Sequence, residues 1–268
     1  MTRPDAAAGR HVRAAPGGPG PLRRAGHRAA DARRRWAQGV AWAQDYAWIA
    51  RAQAAAWLRT PPGDALLDGS RAPVVLLPGI YETWPVMAGL ARALHAAGHP
   101  VHAVPALGLN HGTLADAARL AVARVVELDL TGAVLVAHSK GGLVGKLVLG
   151  DPDAGLRSGR VTGLVAVNTP FAGSVYARWF PVRSVRALAP ADPHLRALAH
   201  EVATHARIWS LHARFDPHVP GVRELPGAAN VTLPLDGHFR VLDDPLLQAE
   251  VVAAVAELAA TGQEPAGS

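Results

Sequence analysis

The sequence predicts an α/β fold: a mostly parallel sheet of about six strands, flanked by helices and carrying a short cap region. Three observations lead there. Apolar runs of four to seven residues alternate with longer amphipathic stretches between residues 74 and 260. The runs are apolar throughout rather than at every second position, as in strands covered on both faces. Glycine and proline punctuate the boundaries, as at Pro78-Gly79 and Gly98.

The elements follow in order. Residues 74–77 read as a strand, 84–97 as a helix and 101–104 as the next strand. Residues 114–128 are helical, 133–137 a strand, 141–149 a helix and 161–167 a strand. Residues 171–205 are irregular with short helical pieces, which suits a cap. The last strands fall at 206–211 and 230–233, before a closing helix at 243–260. Together these define one α/β domain over 61–268, with no internal repeat.

Two segments precede it. Residues 1–30 hold Arg, Ala, Gly and Pro without a periodic apolar face, which predicts a disordered basic tail. Residues 31–60 read as an amphipathic Trp-rich helix, ended by Thr60-Pro61-Pro62-Gly63. Trp36, Val40, Ala47 and Leu58 fall along one line of it, with Trp42, Tyr46, Ile49 and Trp57 beside them. Such an arc either packs on the domain or lies on a membrane surface, with nearby arginines toward anionic headgroups.

Composition excludes several classes. None of the 268 residues is cysteine, so disulfide frameworks, cysteine nucleophiles and thiolate metal sites are out. The net charge is +6, but residues 1–35 alone carry +7, which leaves the remainder at −1. A near-neutral domain argues against a nucleic-acid groove. No apolar run approaches the roughly 18 residues of a membrane span, and the N-terminus lacks a signal peptide's apolar core. The expected location is the cytoplasm, with peripheral membrane contact through 31–59 as the membrane association considered.

The stretch Val134-Leu135-Val136-Ala137-His138-Ser139-Lys140-Gly141-Gly142 carries the chemistry. A buried strand runs into a serine, small residues sit at 137 and 141, and a helix follows at once. This is the tight strand–turn–helix elbow that lifts a hydroxyl above the carboxyl edge of a sheet. Its usual pattern is G-x-S-x-G, and Ala137 departs from it by one methyl group. The competing reading is an ordinary helix N-cap serine.

With these residues in view, the chain resembles α/β-hydrolases of the bacterial lipase and esterase type, over about residues 72–258. Further segments carry the resemblance in the same order. Leu76-Leu77-Pro78-Gly79-Ile80-Tyr81 is similar to the family's oxyanion loop, and Val167-Asn168-Thr169-Pro170-Phe171-Ala172-Gly173-Ser174 to its T-P-x-x-G-S segment. Phe215-Asp216-Pro217-His218 resembles the acid loop and Gly237-His238-Phe239-Arg240 the histidine loop. The family's first two strands have no counterpart between 61 and 73. The resemblance implies the α/β-hydrolase fold and an ester hydrolase without cofactor or metal.

The roles follow from the chemistry. A serine hydroxyl needs a base, and His238, late in the chain and preceded by glycine, is the best placed. The resemblance implies Asp216 as the acid that orients it; Asp236, two residues from His238, reads better as a turn former. The oxyanion hole is expected from the backbone N–H groups of Ile80 and Lys140. The ammonium of Lys140 is expected to leave the site or pair with a carboxylate, and His138 to pack or face solvent. Tyr81, Trp84, Phe171, Trp179 and Phe180 lie in loops that should flank the serine and line an apolar pocket.

The expected function is hydrolysis of a small-molecule or lipid carboxylic ester through an acyl-enzyme. An acyltransferase or amidase would use the same triad. A membrane-associated binding module without catalysis is the alternative from another class.

Overall fold

The computed structural model describes residues 21–58, 66–179, 181–221 and 224–262. The chain divides into residues 1–40 and 41–268. Helix α1 (Pro21–Leu58) occupies the described part of the first unit and continues into the second. It begins at Pro21 rather than at residue 31, so residues 21–30 are helical where composition predicted disorder. Alanine and arginine favour helix, and proline fits a first helical position. Of the expected tail, residues 1–20 lie outside the described residues.

Within the second unit, α1 buries Ala41, Asp45 and Ala56 and packs Trp48 and Ile49 on the core. This stripe recurs every three to four residues, as a helix requires. It is rotated from the expected arc: Ala47 is exposed, and Trp36 and Leu58 are 74% and 83% exposed. The side chain of Trp57 lies outside the described residues.

The sheet has six strands: β1 (Val74–Leu77), β2 (Val101–Ala103), β3 (Ala133–His138), β4 (Val161–Val167), β5 (Ile208–Phe215) and β6 (Ala229–Asp236). They run in the order β2-β1-β3-β4-β5-β6, and every pairing is parallel. β5 and β6 outrun the expected ranges because their pairing continues to Phe215 opposite Asp236. That extension carries the chain to Asp216 at the carboxyl edge.

Alternate residues of the strands feed two cores. Val75, Leu77, Leu135 and Leu164 point to one face, where α3 (Leu114–Glu127) and α4 (Lys140–Gly150) cover them. Val74, Leu76, Val134 and Val136 point to the other, under α2 (Ala88–Ala96) and α7 (Pro245–Gly262). Each such side chain, fully removed from water, contributes about 1.5–3 kcal/mol.

The cap region holds a short helix α5 (Arg183–Arg186) and α6 (Pro193–His200). Asp192 starts α6 by accepting from the N–H groups of His194 and Leu195. Among the described residues, α7 has the length and apolarity of a membrane span: 18 residues with mean hydropathy 1.2. The sequence reading missed this. Its apolar side is buried through Leu247, Val251, Ala254, Val255 and Leu258, as in a core helix.

Candidate active site

Ser139 sits between β3 and α4 with φ 51° and ψ −121°. A non-glycine residue held there costs about 1–3 kcal/mol, and the surrounding packing must enforce it. Gly141 shows how. A Cβ at 141 would strike the carbonyl oxygen of Leu77 at the end of β1, so only glycine lets α4 start this close to the sheet. The Ser139 side chain does not cap α4. Its Oγ lies 2.9 Å from Nε2 of His238 instead.

His238 follows β6 and Gly237. Its Nδ1–H donates to Asp216 Oδ2 at 2.8 Å, which leaves Nε2 to accept from the serine hydroxyl. Ser139, His238 and Asp216 are all buried. The other oxygen of Asp216 accepts from the N–H groups of His218 (2.8 Å) and Val219 (3.0 Å). Burial pushes the Asp216 carboxyl up. The neighbouring His238 and these hydrogen bonds outweigh burial, and the pKa falls below its ordinary value. Asp236 stays apart, with Arg214 Nη2 at 3.0 Å from both its oxygens.

A second buried pair lies behind the triad. His138 Nδ1 is 2.9 Å from both oxygens of Glu82, and its Nε2–H donates to the His238 carbonyl at 2.9 Å. Both ring nitrogens face acceptors, which suits an imidazolium against a carboxylate. Burial pulls the His138 pKa down, but Glu82 more than offsets this and holds it above the usual histidine value. His138 is therefore neither a surface residue nor plain packing.

Glu82 also accepts from the N–H of Gly79 at 2.9 Å, and Asn110 Nδ2 donates to the Pro78 carbonyl at 2.7 Å. These bonds shape the loop that carries Ile80. Asn168, with φ 49°, donates to the carbonyls of Gly237 and His238 and accepts from the N–H of Ala213. His218 fills the space beside His238, with ring centroids 5.0 Å apart, between Trp42, Tyr46 and Phe239. Burial and the charge of His238 push its pKa down to about 4, so it is a neutral plate at neutral pH.

Lys140 opens α4 beside the serine. Its ammonium donates to the carbonyls of Asn110 and Gly112, each at 2.6 Å, and to Asn110 Oδ1 at 3.2 Å. It thus leaves the site, as expected, but binds carbonyls rather than a carboxylate. Burial lowers its pKa to about 8.

The expected aromatic pocket is not assembled. Phe171 is buried in one core and Trp84 packs on the other. Trp179 is 75% exposed, with Arg178 over its ring, and Tyr81 is 43% exposed with φ 59°. Phe180 lies outside the described residues. The loops do flank the serine, but their aromatics satisfy the cores or face water. A cavity of about 1250 Å³ opens elsewhere, between the start of α3, α4 and the cap helices. Lys140, Leu147, Leu188 and Leu198 are among its lining residues. Among the described residues, no group of three or more His, Asp or Glu side chains could hold a metal ion.

Three site residues were missed in the sequence. Glu82 stands three residues past Gly79, and Asn168 lies within the T-P segment itself. Asp45, an acid among the apolar positions of α1, was the clearest signal available. It is fully buried and accepts from the N–H groups of His238, Phe239 and Arg240.

Solved structures match this architecture. The fold is that of the α/β-hydrolases. One neighbour, from work on the metagenome-derived lipolytic enzymes LipS and LipT, is 16% identical with a TM-score of 0.54. The match covers 71% of this chain and 95% of that one. The mature form of a Bacillus licheniformis lipase is 14% identical at TM-score 0.55, over 73% of this chain and 96% of its own. The mouse α/β-hydrolase domain-containing protein 10 is 13% identical at 0.52, over 73% and 92%. No protein-family model and no curated protein matches the sequence. In this α/β-hydrolase fold, the strand order puts the serine elbow, the acid loop and the histidine loop at one carboxyl edge.

Proposed function

We propose that this chain hydrolyses carboxylic esters by a serine mechanism. The observation that carries the reading is the continuous relay from Ser139 Oγ through His238 to Asp216, at 2.9 and 2.8 Å. His238 takes the serine proton as Oγ bonds to the ester carbonyl carbon. Asp216 fixes the imidazole tautomer and stabilises the imidazolium. The N–H groups of Ile80 and Lys140 receive the developing oxyanion, with the start of α4 adding its positive dipole end. Collapse of the tetrahedral intermediate breaks the carbon–oxygen bond, and His238 returns its proton to the leaving alcohol. Water then attacks the acyl-enzyme by the same route and frees the acid.

The neighbours in fold include lipolytic enzymes, which agrees with an ester substrate. The reading extends to a surface role for the first unit, where Arg33 and Trp36 are both exposed and suit contact with an anionic membrane.

The test is a chain-length series of aryl esters with wild type and Ser139→Ala, alongside a fluorophosphonate probe. Turnover and covalent labelling should both vanish in the variant. Labelling that persists in Ser139→Ala, or folded wild type without ester turnover, would overturn the reading.

A further inference from the structure

Helix α1 precedes the first strand, yet its second half reaches both loops that frame the serine. Asp45 Oδ2 accepts from the N–H of His238 at 2.8 Å. Its Oδ1 accepts from the N–H groups of Phe239 and Arg240, each at 2.9 Å. Three successive amides converging on one side chain form an anion cradle, and a carboxylate fills it. Gly237 completes the fit. It has φ 123°, and a Cβ there would come within 2.8 Å of Asp45 Oδ1. Two turns further on, Gln53 donates to the carbonyl of Tyr81 at 2.7 Å, in the loop that follows β1.

These bonds complete a clamp on His238. Its carbonyl is already held by His138 and Asn168. Asp45 holds its amide nitrogen from the opposite side. The backbone of His238 is thus fixed at both ends, and the imidazole has one direction in which to meet Ser139 and Asp216. Neighbouring contacts support the same placement: Gln44 accepts from Arg240 Nη1 at 2.7 Å, and Tyr46 packs on Phe239 with ring centroids 6.4 Å apart.

We infer that Asp45 is a positioning residue for the hydrolytic reaction, acting through the backbone of the His238 loop. The inference rests on the serine-hydrolase reading above. Losing a purely structural acid would lower stability and leave turnover per folded molecule unchanged. Losing a positioning acid lowers the rate of serine activation and leaves substrate binding alone. The loss is large because misplacing a catalytic group by about 1 Å costs on the order of 100-fold.

The experiment uses the full-length chain with Asp45→Asn, Asp45→Ala and Ser139→Ala. It measures kcat and KM on a short aryl ester, the rate of fluorophosphonate labelling and the melting temperature. Asp45→Ala should lower kcat and labelling by about 100-fold with KM changed less than about 3-fold. Asp45→Asn keeps an acceptor oxygen but loses the charge, and should fall by about 10-fold. If Asp45→Ala does not fold, Asp45→Asn decides by the same split between kcat and KM. Asp45 variants with wild-type kcat and labelling, or with a loss confined to KM or melting temperature, overturn the inference while Ser139→Ala stays silent. Labelling that persists in Ser139→Ala overturns the serine reading and this inference together.

Discussion

Glu82 and His138 form a fully buried ion pair whose imidazole also holds the His238 carbonyl. Removing either partner strands the other charge in a dry site. We expect Glu82→Gln or His138→Ala to cost about 3–5 kcal/mol by chemical denaturation. The pH dependence has a fixed sign. The folded pKa of His138 is raised, so its contribution is fully present below the ordinary histidine value of 6.5. It is lost as pH rises through the folded value. The stability gap between wild type and His138→Gln should therefore narrow with rising pH. A gap that widens with pH would contradict the pairing.

Asp216 and Asp236 make an internal control. Asp216→Asn should lower turnover by about 10⁴-fold while the protein stays folded, because the wrong histidine tautomer is favoured. Asp236 pairs with Arg214, whose side chain is 63% exposed. Its removal should cost no more than about 1 kcal/mol and leave turnover within about 3-fold of wild type. The depressed pKa of Asp216 gives a stability contribution that is present above the ordinary carboxylate value and lost as pH falls through the folded value. Acid titration of wild type against Asp216→Asn reads this directly.

The glycine at the elbow is expected to be irreplaceable. In Gly141→Ala the new methyl meets backbone on β1, which has no rotamer by which to yield. Thermal melts should show a loss of at least about 2 kcal/mol, well beyond the usual cost of a surface change.

Phe171 and Trp179 separate core from surface. Phe171→Ala should destabilise by about 3–5 kcal/mol. Trp179→Ala should stay within about 0.5 kcal/mol of wild type. Calorimetry on the two variants suffices. Equal losses would return Trp179 to a packed pocket.

The proposed membrane contact is checked by vesicle co-sedimentation. Binding to anionic vesicles at low salt should exceed binding to neutral ones, and should weaken as salt shortens the Debye length to about 8 Å at physiological strength. Trp36→Ala should reduce it. Equal pelleting with both lipids would count against this contact.

Sequence periodicity located all six strands, because runs such as 161–167 are buried on both faces and apolar throughout. Ser139 was legible in the strand–turn–helix elbow, and the resemblance pointed to Asp216 and His238, which the structure brings to the same edge. Periodicity could not place Glu82, Asn168 or Asp45. Each has partners across the fold, 45 to 195 residues away, and no local pattern encodes such a partner. The pocket failed for a related reason. An aromatic in a loop serves a core or a cavity equally well by composition, and only the packing of Phe171 and Trp84 shows which.

The amides that Asp45 holds lie 193 to 195 residues downstream of it. During synthesis the acid therefore leaves the ribosome long before its partners exist. Ser139 likewise precedes His238 by 99 residues. Closure over so long a span is among the slow steps of folding. A chain cut before residue 237 would hold Ser139 without His238, and Asp45 without the amides it binds.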